Sequence, residues 1–282
     1  LRVAWLPDGK RLHLRNGPID LIIQGFGQPA EVGRAYDAGI ERARALVLEL
    51  AEDVPAMQQG QEAQSDVGLR AAAASEAVPG GLPAVVALNG AVADEVIAAM
   101  TQGGRIDRGF ANNRGMVAFH VTEGCGLTPV AMDWPEYQRY DARIPIVAAM
   151  RSRGMAFAGW RCDGFALGWV ERVFAAARTA AVAEAACASI SACMRPAAGV
   201  EMVPADTLAP LTVLGGLPVC RALPLPGAAE AEALVAQGRA RAEALVADDT
   251  VVLTAIELGA ANCLAGPPHF SLKSLLSLEA NF

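Results

Sequence analysis

The sequence predicts an α+β fold of antiparallel sheets backed by long helices, and three observations carry that expectation. Residues Arg11 to Leu14, the turn Asn16-Gly17-Pro18 and residues Ile19 to Gln24 read as one β-hairpin. Phe110 to Val121 reads as a second, folded about Asn112-Asn113-Arg114-Gly115-Met116. Between them Tyr36, Ile40, Ala43, Val47 and Leu50 recur at helical spacing, which gives one long helix a single apolar face. Hairpins interleaved with long helices form layers in which the helices cover a sheet.

The remaining elements follow in order. Pro29 suits the first turn of the helix that runs to about Asp53. Gln58 to Ser65 is polar and reads as a loop. An alanine-rich helix spans Leu69 to Val78 and stops at Pro79-Gly80-Gly81. Pro83 to Leu88 is apolar, Asn89-Gly90 reads as a turn, and a helix covers Ala91 to Gln102. Val130 to Trp134, Ile144 to Ala149 and Met155 to Trp160 read as strands. One long helix is expected from Leu167 to Met194, then a strand at Leu211 to Leu214. A helix over Ala228 to Ala247 and a strand over Val251 to Leu258 complete the series. Residues 1–266 are expected to form one domain or two intimate subdomains. In the peripheral tail 267–282, Leu272, Leu275, Leu276 and Leu278 suit a short docking helix or a partner contact.

Composition narrows the function classes. The 282 residues are 53% hydrophobic and 19% charged, enough to bury a sizeable core. A formal net charge of -7 argues against a nucleic-acid partner, because phosphate binding needs a basic face. No uninterrupted apolar run reaches the roughly 18 residues of a membrane span. The opening Leu1-Arg2-Val3-Ala4-Trp5 has no apolar leader, and the six cysteines form no Cys-x-x-Cys pair. These features predict a cytoplasmic protein with reduced thiols. The three histidines, His13, His120 and His269, are scattered and make no zinc motif.

Gly25-Phe26-Gly27-Gln28-Pro29-Ala30 fits the Gly-x-Gly-x-x-Ala turn of dinucleotide folds. The strand before it belongs to a hairpin, and the helix after it leads to a glutamine-rich loop with no ribose-binding acid. The expected reading is therefore a glycine-rich strand-to-helix turn, not a cofactor cradle.

Four segments, met in order, resemble the ApbE-like superfamily and in particular its short cytosolic branch. They are RLHLRNGPIDLII (residues 11–23), NGAVADEVIAAM (89–100), FANNRGMVAF (110–119) and GWRCDGFALGWVERV (159–173). The resemblance implies an ApbE-like, T-fold-related arrangement of antiparallel sheets and helices. Its better-equipped relatives are FAD-dependent FMN transferases that use magnesium, and phosphoryl transfer needs a metal and fixed N–H donors around the oxygens. Against the branch's pattern, Arg114-Gly115-Met116 stands for Gly-Gly-Asp, and Phe157-Ala158 for Thr-Ser. Gly164-Phe165-Ala166 stands for Ser-x-Ser, and Glu171 for Asp. Met116, Phe157, Ala158 and Ala166 thus place carbon and sulfur where relatives carry oxygens, which implies a site that has filled in or been retuned for a different, less polar ligand. A thioether holds no hard cation.

The resemblance places the binding residues at Gly90, Asp94, Asn112, Asn113, Arg114, Gly115, Gly159 and Trp160, with Glu171 as the metal candidate. Each also has a structural reading. Asp94 suits a helix start. Asn112 and Asn113 suit turn ordering. Arg114 is either a solvated charge or a bidentate partner for an anion. Trp160 and Trp169 suit a core as readily as an aromatic ligand. The expected function is a non-catalytic ligand-binding or scaffolding subunit with a degenerate flavin or nucleotide site and no bound cofactor. The alternative is a magnesium- and FAD-dependent flavin transferase, or an enzyme acting on a flavin- or pterin-like heterocycle, with FAD or FMN as cofactor. The expected partners are such a small molecule and a second copy or a partner protein.

Overall fold

The computed structural model describes residues 1–127, 146–195, 200–221 and 224–267. The strand expected at 130–134 and the tail helix at 272–278 lie outside them.

The chain opens with strands β1 (Arg2–Trp5), β2 (Leu12–Asn16) and β3 (Ile19–Gly27). Helix α1 (Pro29–Gln58) has its proline in the first turn, where a missing N–H costs nothing. Helix α2 (Asp66–Glu76) is capped by Ser65, whose side chain accepts from the Gly68 N–H. A 3-10 turn over Ala84–Ala87 runs into α3 (Leu88–Gly103). Asn89 and Gly90 therefore lie in the first turn of this helix rather than in a separate turn. Then come β4 (Ile106–Asn113), β5 (Met116–Val121), β6 (Gly126–Leu127), β7 (Ile146–Val147), β8 (Gly154–Ala158), α4 (Trp160–Asp163), β9 (Phe165–Ala166) and β10 (Arg172–Ala177). The chain continues through α5 (Ala180–Cys193), β11 (Val203–Pro204), α6 (Ala205–Leu208), β12 (Pro218–Arg221), α7 (Ala228–Ala247), β13 (Val251–Leu258) and β14 (Ala261–Ala265).

Among the described residues nine strands form one antiparallel sheet in the order β1-β2-β3-β4-β5-β8-β10-β13-β14. Both neighbours of β3 are antiparallel, so Gly25 to Ala30 is no βαβ cradle. The expected helix over 167–194 divides: β10 fills its middle and α5 begins only after Thr179. All but the first residue of β10 are buried, and such a strand reads in sequence like a buried helix. Tertiary pairing with β8 and β13 overrides the helix propensity of Ala175-Ala176-Ala177. The strand expected at Leu211–Leu214 is a turn region, and pairing falls instead on β12.

The sheet is covered unequally. One face packs against α1, α3, α5 and α7 in the main core, which includes Leu14, Leu21, Ile23, Leu46, Met100 and Ile190. The other face carries a smaller cluster around Phe119, Val121, Ile146, Met155, Phe174 and Leu253. Ala84–Gly103 is long and apolar enough to cross a membrane by length and composition, a stretch the sequence expectation passed over. It is the central helix of the main core, with 67% of its apolar window buried.

Candidate functional site

The N-termini of α3 and α5 meet over the sheet: the start of α3 lies beside the β4–β5 turn, and the start of α5 lies against Gly154 at the head of β8. Close approach is built in. A Cβ on Gly90 would stand 2.4 Å from the Ala180 carbonyl oxygen, so only glycine lets the two helix starts touch.

A helix N-terminus leaves N–H groups without partners, and carboxylates satisfy them well. Here the two helices exchange carboxylates. Asp94 of α3 accepts from the Ala180 N–H at 2.9 Å and the Ala181 N–H at 3.0 Å, the first turn of α5. Glu184 of α5 accepts from the Gly90 N–H at 2.7 Å and from Asn89 Nδ2 at 2.9 Å, the first turn of α3. Both acids are buried, at 8% and 6% exposure. Burial pushes the Asp94 carboxyl up to about 6, against the pull of its two N–H donors. Burial likewise pushes Glu184 up to about 8, with Gly90 and Asn89 opposing and the nearby Asp163 and Asp94 adding to the rise.

Asparagines extend this junction to the sheet. Asn113, 1% exposed, accepts from the Asp20 N–H at 3.0 Å, and its Nδ2 donates to the Asn89 carbonyl oxygen at 3.3 Å. Asn112 Oδ1 accepts from the Gly115 N–H at 2.8 Å and so closes the β4–β5 turn. Arg114 takes the left-handed conformation there, at φ 54, although it carries a Cβ. Its Nε donates to the Pro18 carbonyl oxygen at 3.2 Å, joining the two hairpin turns.

The neighbouring β8–α4 corner supplies the rest. Gly159 sits at φ 121, and a Cβ there would meet the Glu171 carbonyl oxygen at 2.4 Å. Trp160 is buried in the main core. Glu171 is buried just ahead of β10, not on a helix; one oxygen pairs with Arg161 at 2.6 Å and the other accepts from the Gly259 N–H. Asp163 differs from these acids. Asp163 is exposed as a residue, and among the described residues its side chain accepts no hydrogen bond. Crowding by surrounding protein pushes its carboxyl up to about 7, while the Arg114 charge pulls it down.

Of the residues expected at the site, Gly90, Asp94, Asn112, Asn113, Arg114 and Gly115 lie along this junction and its turn. Gly159, Trp160 and Glu171 form the adjoining corner. The apolar replacements do not share one cleft. Met116 belongs to the helix-side core, whereas Phe157 stacks on Phe174 on the opposite face, 5.0 Å between centroids. Adjacent strand positions of opposite parity face opposite ways, and the β5–β8 register puts these two on different faces. The sequence reading passed over Glu184 and Asp163. A lone acid inside the apolar run Ala180 to Ala188 was a usable signal for Glu184, because a buried charge needs partners. Nothing local marks Asp163.

A family model described as "AbpE bacteria" matches residues 3–264. The chain belongs to that family. A search of curated proteins finds none that matches. Among solved structures, the chain is similar to a mutant of the flavin transferase ApbE from Vibrio cholerae. That match has 10% identity, covers 90% of this chain and 95% of the other, and has a TM-score of 0.35. It is also similar to the apo form of the flavinyl transferase ApbE from Pseudomonas stutzeri, at 10% identity, 98% and 97% coverage and a TM-score of 0.39.

Magnesium needs several oxygen ligands in near-octahedral array. Both oxygens of Asp94, Glu184 and Glu171 already hold protein donors. Among the described residues no group of three or more His, Cys, Asp or Glu side chains is placed to hold a metal ion. Asp94, Glu184 and Glu171 therefore do not fit a magnesium site as they stand.

Proposed function

We propose that this chain is a non-catalytic, ligand-binding or scaffolding member of its family, whose inherited site residues now serve the fold. The observation that carries this reading is the exchange of Asp94 and Glu184 between the N-termini of α3 and α5. A carboxylate that accepts two backbone N–H groups in the interior is a cap. Withdrawing it for a ligand would strand those donors at about 1–3 kcal/mol each.

A second reading rests on Asp163 and Arg114. An acid without a hydrogen-bond partner among the described residues, beside a cation, offers an acceptor and a donor to one polar ring. A flavin- or pterin-like heterocycle, bound without metal, suits that pair. An absorption spectrum and melting curves of the purified chain test both. The first reading expects a colourless protein whose melting temperature is unmoved by FAD, FMN or magnesium. A rise with FMN alone that Arg114→Gly abolishes supports the second. A rise that requires FAD and magnesium together contradicts both.

A further inference from the structure

We propose that the cavity at the C-terminal end of α2 is a binding site for a primary alkylammonium group. The cavity holds about 320 Å³, the size of a small ligand pocket. It lies between the last turn of α2 and the loop 77–83, which leads into the 3-10 turn ahead of α3. It shares no residue with the α3–α5 junction, so it stands apart from the site described above.

The loop is fixed by its own anchors. Ser189 of α5 donates to the Pro79 carbonyl oxygen at 2.7 Å, and Arg241 of α7 donates to the same oxygen at 3.0 Å. Ser75 Oγ donates to the Leu82 carbonyl oxygen at 2.7 Å. Between these anchors Gly80 and Gly81 take φ 141 and 63, and a Cβ on Gly81 would meet nothing within 4 Å. A rim that is already built spares a ligand the cost of ordering it.

The polar part of the wall offers acceptors. A helix C-terminus leaves carbonyls without partners and carries the negative end of the macrodipole. Helix α2 has no basic residue in its last turn to answer them. The carbonyls of Glu76, Gly80 and Gly81, all wall residues, accept no hydrogen bond among the described residues. The Glu76 carboxylate makes no ion pair among them. Ser75 is 7% exposed, and its hydroxyl, having donated to Leu82, keeps lone pairs for a further donor.

The rest of the wall is carbon, and that selects the cation. Ala72, Val78 and Leu82 suit an alkyl stem whose charged head reaches the acceptors. A hard metal ion asks for several charged oxygens, and Glu76 is the one acid in the wall. A guanidinium asks for a planar pair of acceptors. A compact ammonium with three donors suits a helix end, a hydroxyl and a single carboxylate.

Titration of n-butylammonium chloride into the full chain, at constant ionic strength and followed by amide NMR spectra, tests the proposal. Saturable shifts of the Gly80 and Gly81 amides are expected, with a dissociation constant of about 1 mM. Neither n-butanol nor sodium chloride is expected to produce them. Glu76→Gln is expected to weaken binding about threefold, and Ala72→Leu, which fills the cavity, to abolish it. Glu52→Gln, an exposed acid on α1, leaves it unchanged. Glu76→Gln carries the test if Ala72→Leu does not fold. A free alkylamine and a lysine side chain of a partner protein present the same group. Equal affinity for N-acetyl-lysinamide assigns the site to a lysine side chain; binding of n-butylammonium without N-acetyl-lysinamide assigns it to a free amine. Shifts that do not saturate by roughly 100 mM overturn the proposal. So do shifts that n-butanol or sodium chloride reproduces, and so does binding that Glu76→Gln leaves unweakened.

Discussion

The α3–α5 junction and the rim formed by Asp163 and Arg114 adjoin, yet they treat their acids in opposite ways. Asp94, Glu184 and Asp163 are all pushed toward the protonated form by the protein around them. At the junction each acid is buried and accepts two N–H groups. At the rim Asp163 is an exposed residue whose carboxyl, although the protein around it desolvates it, accepts none among the described residues. A raised proton affinity alone does not mark a ligand site. Whether donors already answer the carboxylate separates a fold-building acid from one available to a ligand.

Substitutions sharpen that contrast, the most damaging first. Gly90→Ala drives a methyl into the Ala180 carbonyl oxygen and is expected to cost more than about 4 kcal/mol or to prevent folding, read by urea denaturation. Asp94→Ala strands two buried N–H groups of α5 and is expected to cost about 3 kcal/mol by the same measurement.

Glu184→Gln separates pH from geometry. The folded state binds the Glu184 proton more tightly than the unfolded chain, with its carboxyl raised from 4.5 to about 8. Its contribution to stability is therefore full below about pH 4.5 and lost as pH rises toward about 8. Glutamine stays neutral but opposes one N–H donor with its own. The variant's deficit in melting temperature is expected to be largest near pH 5 and to shrink by pH 9. A deficit that grows with pH would show that Glu184 is held as a stabilised anion.

The rim responds less. Arg114→Gly relieves a left-handed φ at the expense of chain entropy, and is expected to raise stability by up to about 1 kcal/mol. Asp163→Asn removes no hydrogen bond and is expected to change stability by less than about 0.5 kcal/mol at pH 6. A loss of several times that in Asp163→Asn would place Asp163 among the fold-building acids and erase the distinction between the two regions.

Much of the fold was legible because its signals are local. The hairpin β2–β3 announces itself by Asn16-Gly17-Pro18, α1 by Pro29 and its apolar stripe, and α7 and β13 by periodicity alone. What failed was long-range. Strand β10 gains its state from β8 and β13, and Ala175-Ala176-Ala177 carries no trace of that. Edge strands β1 and β14 were missed because four or five residues with one neighbour give little pattern. At the site, the turn Asn112 to Gly115 and the helix start at Gly90 could be placed from their residue types. The partner of Asp94, 86 residues away, could not. Nor could the separation of Met116 from Phe157, because the β5–β8 register depends on residues the sequence does not align.

Asp94 and Glu184 are committed to helix N-termini, and the central proposal is that this leaves a magnesium-bound dinucleotide without a grip. Isothermal titration of FAD into the full chain, with and without magnesium, tests it most directly. The account predicts no saturable heat that depends on magnesium. Stoichiometric, magnesium-dependent binding that Asp94→Asn abolishes in a still-folded protein would contradict it.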